Sequence, residues 1–336
     1  MTTDYDRELE VALGAVRQAG KVCRSVQSQI DPGTLEKKDK SPVTVADFAS
    51  QAVVCRALQE AFPDDPVVGE EDAAELRGES AGFLEKIRGH LSDVGIDADG
   101  ETVCGWIDRG GHSGGLDAAG KGRYWTLDPI DGTKGFLRKQ QYAVSLALIV
   151  DGRIVLGVLG CPNLPAAGVG ESLTGSLLYA VRGAGAFQSP LDDEVDPTPI
   201  RVSEITDFAH ARMCESVESG HSKHDASAAV VESLGIQAEP VRLDSQAKYA
   251  CVGRGDADVY LRLPTRKDYQ EKIWDHAGGV IVVEEAGGRV SDVDGKPLDF
   301  GVGSTLAGNR GVIATSAGVH DRVVDVVREV LAEDVA

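Results

Sequence analysis

Two apolar, β-prone runs, residues 141–150 and 153–160, have only Asp151-Gly152 between them. A two-residue Asp-Gly loop closes a hairpin, because both positions tolerate the positive φ that the tight turn demands. The chain is thereby committed to an antiparallel strand pair, and the runs 123–127 and 176–182 read as further strands beside it. Ahead of them, Leu9, Ala12, Val16, Ala19, Cys23, Val26 and Ile30 fall at helical spacing and predict an amphipathic helix over 5–30. A second helix is expected over about 44–62 and a third over 72–91. Strands flanked by long helices predict a sheet covered by a helical layer.

The span 92–122 is rich in Gly and Asp and reads as a long excursion with a short strand near Val103–Ile107. The Pro- and acid-rich stretch 188–199 reads as a boundary. Beyond it, elements alternate: strand 211–214, helix 223–234, strand 240–243, helix 245–254, strand 257–262, helix 275–286, strand 288–291, strand 311–315 and a closing helix over 318–332. That alternation predicts an α/β arrangement with βαβ crossovers, so the expected division is an α+β domain over 1–194 and an α/β domain over 195–336. With aromatic residues at only 5% of the chain, the core must rest on Val, Leu, Ile and Ala.

Acids outnumber bases 54 to 34, a formal charge of -20. This argues against a nucleic-acid polymer as partner, since phosphate backbones are bound by basic surfaces. A small phosphorylated ligand remains compatible. The six cysteines stand singly with no CxxC pair, as in a reduced, cytoplasmic protein rather than a disulfide scaffold or zinc site. The acidic start, Met1 to Asp6, followed by a helix, does not read as a signal or transit peptide. The longest apolar stretch, Tyr142 to Val150, is too short to cross a bilayer, so a soluble protein with no membrane partner is expected.

The chemistry-bearing residues are acids at the ends of apolar elements. Asp128-Pro129-Ile130-Asp131-Gly132-Thr133 follows the strand-like Tyr124-Trp125-Thr126-Leu127. Pro129 fixes one backbone angle and Gly132 permits a sharp turn, so two carboxylates are aimed into one small volume. Their repulsion calls for a compensating cation, and oxygen ligands without soft neighbours suit Mg²⁺. Glu70 follows Val67-Val68-Gly69, Asp275 opens a helix, and Asp47 lies in the predicted first turn of the second helix, where it also reads as the N3 acid of a capping box begun by Thr44. Other motifs fail on context. Gly111-His112-Ser113-Gly114-Gly115 lacks the helix that a nucleophile elbow needs. Gly115 to Lys121 has Gly122 where a phosphate loop needs Ser or Thr. Asp292-Val293-Asp294-Gly295 lacks the further ligands of an EF-hand.

Taken together, Gly69-Glu70-Glu71, the 128–133 segment and Trp274-Asp275-His276-Ala277 resemble the inositol-monophosphatase superfamily of Mg²⁺-dependent, lithium-sensitive phosphatases. The resemblance is closest to its 3'(2'),5'-bisphosphate nucleotidase branch, through Asp131 to Arg138, Gly220-His221-Ser222, Leu243 to Tyr249 and Tyr260 to Pro264, and it runs from about residue 40 to 315. It implies a layered α-β-α-β-α sandwich with a metal site between two domains, the first carrying most of the ligands. Glu70, Asp128, Asp131, Asp275 and the backbone carbonyl of Ile130 would hold two or three Mg²⁺ ions. Asp47 and Thr133 would orient and deprotonate the attacking water. Gly132, Thr133 and Asp275 would meet substrate, Ser245, Lys248 and Arg262 its second phosphate, and His221 the nucleoside. Read without the resemblance, Lys248, Arg262 and His221 are ordinary surface residues. The implied reaction removes the 3'-phosphate of adenosine 3',5'-bisphosphate (PAP), with its sulfated analogue PAPS as a further substrate, in a monomeric enzyme of sulfur metabolism. The alternatives are an inositol polyphosphate 1-phosphatase or inositol monophosphatase, and a nucleotide-binding sensor without chemistry. The chain departs from the pattern at Gly278, where alanine is more usual, and at Asp72.

Overall fold

The computed structural model describes residues 3–30, 41–77, 81–166, 174–193, 195–217, 224–266 and 269–333. Two sheets and three helical layers alternate. The first sheet is built from β1 (Val67–Gly69), β2 (Arg123–Asp131), β3 (Ala143–Val150), β4 (Arg153–Pro165), β5 (Thr174–Val181), β6 (Gly185–Pro190) and β7 (Thr198–Pro199), in that order across the sheet. Only β1 and β2 run parallel; the rest form an antiparallel meander. Asp151 and Gly152, at φ 51° and 75°, close the β3–β4 hairpin as their sequence requires.

The outer layer on this sheet is α1 (Asp6–Ser28) against α2 (Ser41–Ala61). α1 buries Ala12, Ala15, Val16, Ala19, Val22, Cys23 and Val26 along one stripe, and the small residues let α2 come close. α2 is apolar nearly all round because α1, β2, α3 (Ala81–Asp93) and α4 (Gly100–Asp108) surround it.

The second sheet has the order β11-β12-β10-β8-β9, from β8 (Met213–Glu215), β9 (Val241–Arg242), β10 (Val259–Arg262), β11 (Gly288–Ser291) and β12 (Val312–Ser316). β8 pairs parallel with β9 and β10, through crossovers by α6 (His224–Leu234) and α7 (Ala247–Gly253), while β12 is antiparallel to both its neighbours. α6 and α9 (His320–Glu333) cover its outer face. Between the sheets lie α7 and α8 (Ala277–Glu285), both touching β4 and β12. Their apolar residues form the central core, flanked by one core under α1 and α2 and another under α6 and α9. The result is the five-layer α-β-α-β-α sandwich that the resemblance implied.

Three local expectations are corrected. Residues 103–107 are helix, not strand: Asp99 caps α4 by accepting from the Thr102 N–H at 2.8 Å, and Val103, Cys104 and Ile107 bury one helical face. The helix expected over 72–91 begins only at Ala81, after a 3₁₀ turn over Glu75–Arg77. α2 starts at Ser41, so Asp47 sits well inside the helix rather than at the N3 position of a cap. The rejected motifs stay structural. Gly114 and Gly115 take positive φ in a loop, and Asp292 spends its carboxylate on the Asp294 and Lys296 N–H groups and on Asn309.

Candidate active site

The site begins with a counting irregularity. Asp128 pairs with Ser145, yet Asp131 pairs with Ala143, so β2 spends three steps where β3 spends two. The extra residue is a β-bulge. In a regular strand, residues three apart point to opposite faces. Here Leu127 and Ile130 both enter the core under α1 and α2, which only the bulge allows. Asp128 and Asp131 therefore share the other side, at the end of β2 that faces the central layer. Pro129 donates nothing to the ladder, and its carbonyl accepts from the Ser50 hydroxyl of α2 at 2.9 Å.

Around these two acids the structure gathers Glu70 from the end of β1, Asp47 from α2 and Asp275 from the turn before α8. Glu70 hydrogen-bonds Asp128, and burial together with Asp275, Glu71 and Asp131 pushes its pKa to about 8. Asp128 is 2% exposed, and burial with the charges of Glu70, Asp131, Asp275 and Asp47 raises it well above the usual carboxylate range. Asp47 is raised likewise by burial, then by Glu71 and Glu70. Burial and Asp275 also raise Asp131, but Lys248, Arg262 and the Gln246 N–H oppose them and hold it at about 6. Four clustered acids whose ionised forms are disfavoured describe a site short of positive charge. One Asp128 oxygen, Oδ1, is buried with no hydrogen-bond partner among the described residues. An orphaned hard oxygen in an all-carboxylate set fits a divalent cation of the Mg²⁺ type.

The acids are held by neighbours on both sides of the cluster. Gln51, one turn beyond Asp47 on α2, accepts from the Glu71 N–H at 3.1 Å and donates to the carbonyls of Glu71 and Ile107 at 2.6 and 2.8 Å. Gly69 and Gly110 lie against its amide; a Cβ at either would come within 2.7 or 2.5 Å of it. On the other side, Gly132 (φ 91°) turns the chain into α5 (Thr133–Leu137) and lies so close to Ser245 that a Cβ would meet its Cβ at 2.9 Å. Thr133 opens α5 and is exposed. Arg138, at the end of α5, pairs with the buried Asp244 at 2.6 Å and locks this turn to the 243–246 segment.

Ser245 takes a left-handed backbone (φ 68°), uncommon for a residue with a side chain, and its hydroxyl accepts from the Ala247 N–H. That turn delivers the Gln246 N–H to Asp131 Oδ2 at 2.6 Å. Lys248 is buried, against its usual exposure. Its Nζ donates to the carbonyls of Leu243 and Ser245 and lies 5.3 Å from the centre of the Tyr260 ring. Burial lowers its pKa, and Asp131 opposes that shift. Arg262 projects from the end of β10 between two acids, with one guanidinium nitrogen 2.7 Å from Glu271 and 3.1 Å from Asp275. Glu271, Asp275 and His276 cluster, but Arg262 supplies their cation. Burial would raise Glu271, yet the His276 hydrogen bond and the Arg262 charge hold it down at about 2. His276 is fully buried and reaches the Tyr249 hydroxyl at 2.7 Å.

Of the residues singled out from sequence, Asp47, Glu70, Asp128, Ile130, Asp131, Gly132, Thr133, Ser245, Lys248, Arg262 and Asp275 thus converge where the end of β2 faces the central layer. His221 lies outside the described residues. Sequence reasoning passed over Gln51, Gln246, Glu71, Asp244 and Glu271. Glu71, Asp244 and Gln246 lie inside segments that carry the resemblance but were assigned no role there, and Gln51 left a signal of its own, its position four residues after Asp47 on one helical face.

A model of the inositol monophosphatase family matches residues 4–330. A protein named 3'(2'),5'-bisphosphate nucleotidase from Schizosaccharomyces pombe is 44% identical over 98% of this chain and 97% of its own length. One of the same name from Oryza sativa is 42% identical over 98% and 96%. Among solved structures, an inositol monophosphatase from Anabaena superposes with a TM-score of 0.63 at 21% identity, covering 97% of both chains. Another from Zymomonas mobilis gives 0.64 at 18%, over 97% of this chain and all of the other.

Proposed function

The chain belongs to the inositol monophosphatase family, and from that premise we propose that it is a Mg²⁺-dependent 3'(2'),5'-bisphosphate nucleotidase, removing the 3'-phosphate of PAP to give AMP and phosphate. The observation that carries this reading is the convergence of Asp47, Glu70, Asp128, Asp131 and Asp275 with the unpartnered, buried Asp128 Oδ1. The names of relatives at 42–44% identity support the nucleotide as substrate.

Glu70, Asp128, Asp131, Asp275 and the Ile130 carbonyl would hold two or three Mg²⁺ ions. Such ions polarise a phosphoryl oxygen, make water a better nucleophile and stabilise the departing oxygen. The chain's own residues do the rest. Asp47, buried on α2 beside Glu70, takes the proton of the attacking water, and the Thr133 hydroxyl orients that water. A P–O bond forms to the water oxygen as the bond from phosphorus to the ribose 3'-oxygen breaks; that oxygen takes up a proton from solvent water, and Asp47 returns its own proton to solvent. Gly132, at the head of α5, lets the phosphate approach the backbone closely. Ser245, Lys248 and Arg262 favour a second anionic group on the same side, since the two bases stand next to Asp131 and Asp275.

His221 is assigned to the nucleoside by the motif alone. PAPS is a further substrate of the same pocket, and lithium an inhibitor. We place the enzyme in a reducing compartment such as the cytoplasm, in keeping with its six buried, unpaired thiols. No described helix is long and apolar enough to cross a membrane.

A substrate panel tests the reading. With Mg²⁺, phosphate release from PAP should exceed release from inositol 1,4-bisphosphate and inositol 1-phosphate, and Asp131→Ala should reduce it to background. Preference for an inositol phosphate would replace the substrate, tight nucleotide binding without release would make the protein a sensor, and full activity in Asp131→Ala would remove the metal assignment.

A further inference from the structure

Gln246 is 1% exposed and stands where four elements of the site meet. Its backbone N–H donates to Asp131 Oδ2 at 2.6 Å. Its side-chain Oε1 accepts from the Ser145 hydroxyl at 3.1 Å and from the Gly279 N–H of α8 at 3.0 Å. Its Nε2 donates to the Trp274 carbonyl at 2.9 Å, one residue before Asp275. Ser145 is the ladder partner of Asp128. One residue thus touches the strand opposite Asp128, the carboxylate of Asp131, and both sides of the turn that presents Asp275.

We infer that Gln246 is a positioning residue which sets the separation between the acids carried by β2 and the acid carried ahead of α8, and through it the affinity of the site for divalent cations. The physical reason is that β2 and the turn before α8 are joined in sequence only through about 140 intervening residues, so their spacing must be fixed by contacts across the seam. A neutral amide suits this. It offers an acceptor and a donor at once, and adds no charge to a cluster already crowded with carboxylates. The surroundings leave little slack. A Cβ on Gly279 would come within 2.4 Å of the Tyr249 ring, and one on Gly278 within 2.5 Å of the Ser145 hydroxyl, so α8 is pressed against the very groups that Gln246 bridges. Groups that orient metal ligands typically change metal affinity by 10–100-fold when removed.

This inference rests on the metal reading above and can fail independently of it. The probe is Mn²⁺ titrated into the metal-free protein and read by electron paramagnetic resonance, with no substrate present. Gln246→Met, which fills the space but bonds nothing, should weaken Mn²⁺ binding by about 10-fold or more. Gln246→Glu keeps an acceptor for Ser145 and Gly279 but loses the donor to Trp274, and its added negative charge does not restore the geometry. It should therefore also bind Mn²⁺ more weakly, whereas a purely electrostatic role would make it bind more tightly. Ser145→Ala removes one of the three side-chain contacts and should weaken binding by about 3-fold; it decides the matter if Gln246→Met does not fold. Unchanged Mn²⁺ affinity in a folded Gln246→Met, in Ser145→Ala if Gln246→Met is lost, or tighter binding in Gln246→Glu, would overturn the inference. Wild-type protein that binds no Mn²⁺ would overturn the metal reading and this inference with it.

Discussion

The two halves of the acid cluster are built on opposite electrostatic terms. On the side of the first sheet, Asp47, Glu70 and Asp128 face one another with no basic side chain among the leading influences on their charge. On the side of the second sheet, Asp131 and Asp275 lie beside Lys248 and Arg262, and Asp131 is raised only to about 6. The first half is left for exogenous cations to complete, while the second is already balanced by bases that can also meet an anion. One cleft thus combines a place that demands metal with a place that welcomes phosphate.

The sharpest way to break this contrast is Asp128→Asn. Removing a buried, uncompensated charge while keeping its shape should stabilise the metal-free protein, seen as a raised Tm in EDTA, although Mg²⁺-dependent phosphate release falls to background. A lowered Tm would show that Asp128 is not starved of charge. Arg262→Ala on the other side should do the reverse to stability. It strips Glu271 and Asp275 of their cation, and breaking a mostly buried pair of this kind costs about 3 kcal/mol. Its KM for a bisphosphorylated nucleotide should rise more than for a substrate with one phosphate; equal losses would deny the second half its role.

A smaller effect comes from pH. The raised values of Glu70 and Asp131 mean that the folded, metal-free protein holds protons which the unfolded chain has released. The stability that these two groups contribute is therefore fullest below the ordinary carboxylate range and is lost as pH rises through about 6 and then about 8. In EDTA the wild-type Tm should fall relative to that of Glu70→Gln as pH rises from about 4 to about 8, a comparison that cancels the opposite pull of His320, held low at about 4, and saturating Mg²⁺ should reverse the difference. The least effect is expected from Gly278→Ala, whose new Cβ would press the Ser145 hydroxyl. Chemical denaturation should report a loss of about 1 kcal/mol, with wild-type selectivity between substrates.

Much of this was legible in the chain. Acids at the ends of apolar runs are local signals, and so is the alternation of elements after residue 199. α4 was hidden because Thr102 and Val103 look β-prone among glycines, and its cap, Asp99, lies in an acid-rich stretch where any Asp reads as loop. Gln51 and Gln246 went without a role for a different reason. A glutamine is polar by composition and buried only by tertiary context, so its place in the sequence can put it near the site without showing that it is a strut. Lys248 and Arg262 look like surface bases until the second sheet closes over them.

The bulge in β2 carries a consequence of its own. Placing Asp128 and Asp131 on one face depends on a count of residues rather than on their identity. Flattening the bulge with every residue kept would swing Asp131 toward α1 and α2, away from Glu70 and Asp275, whereas excision of a single codon would leave the acids two apart and still on one face. At this point a change in how β2 pairs would cost the site more than a change in its length.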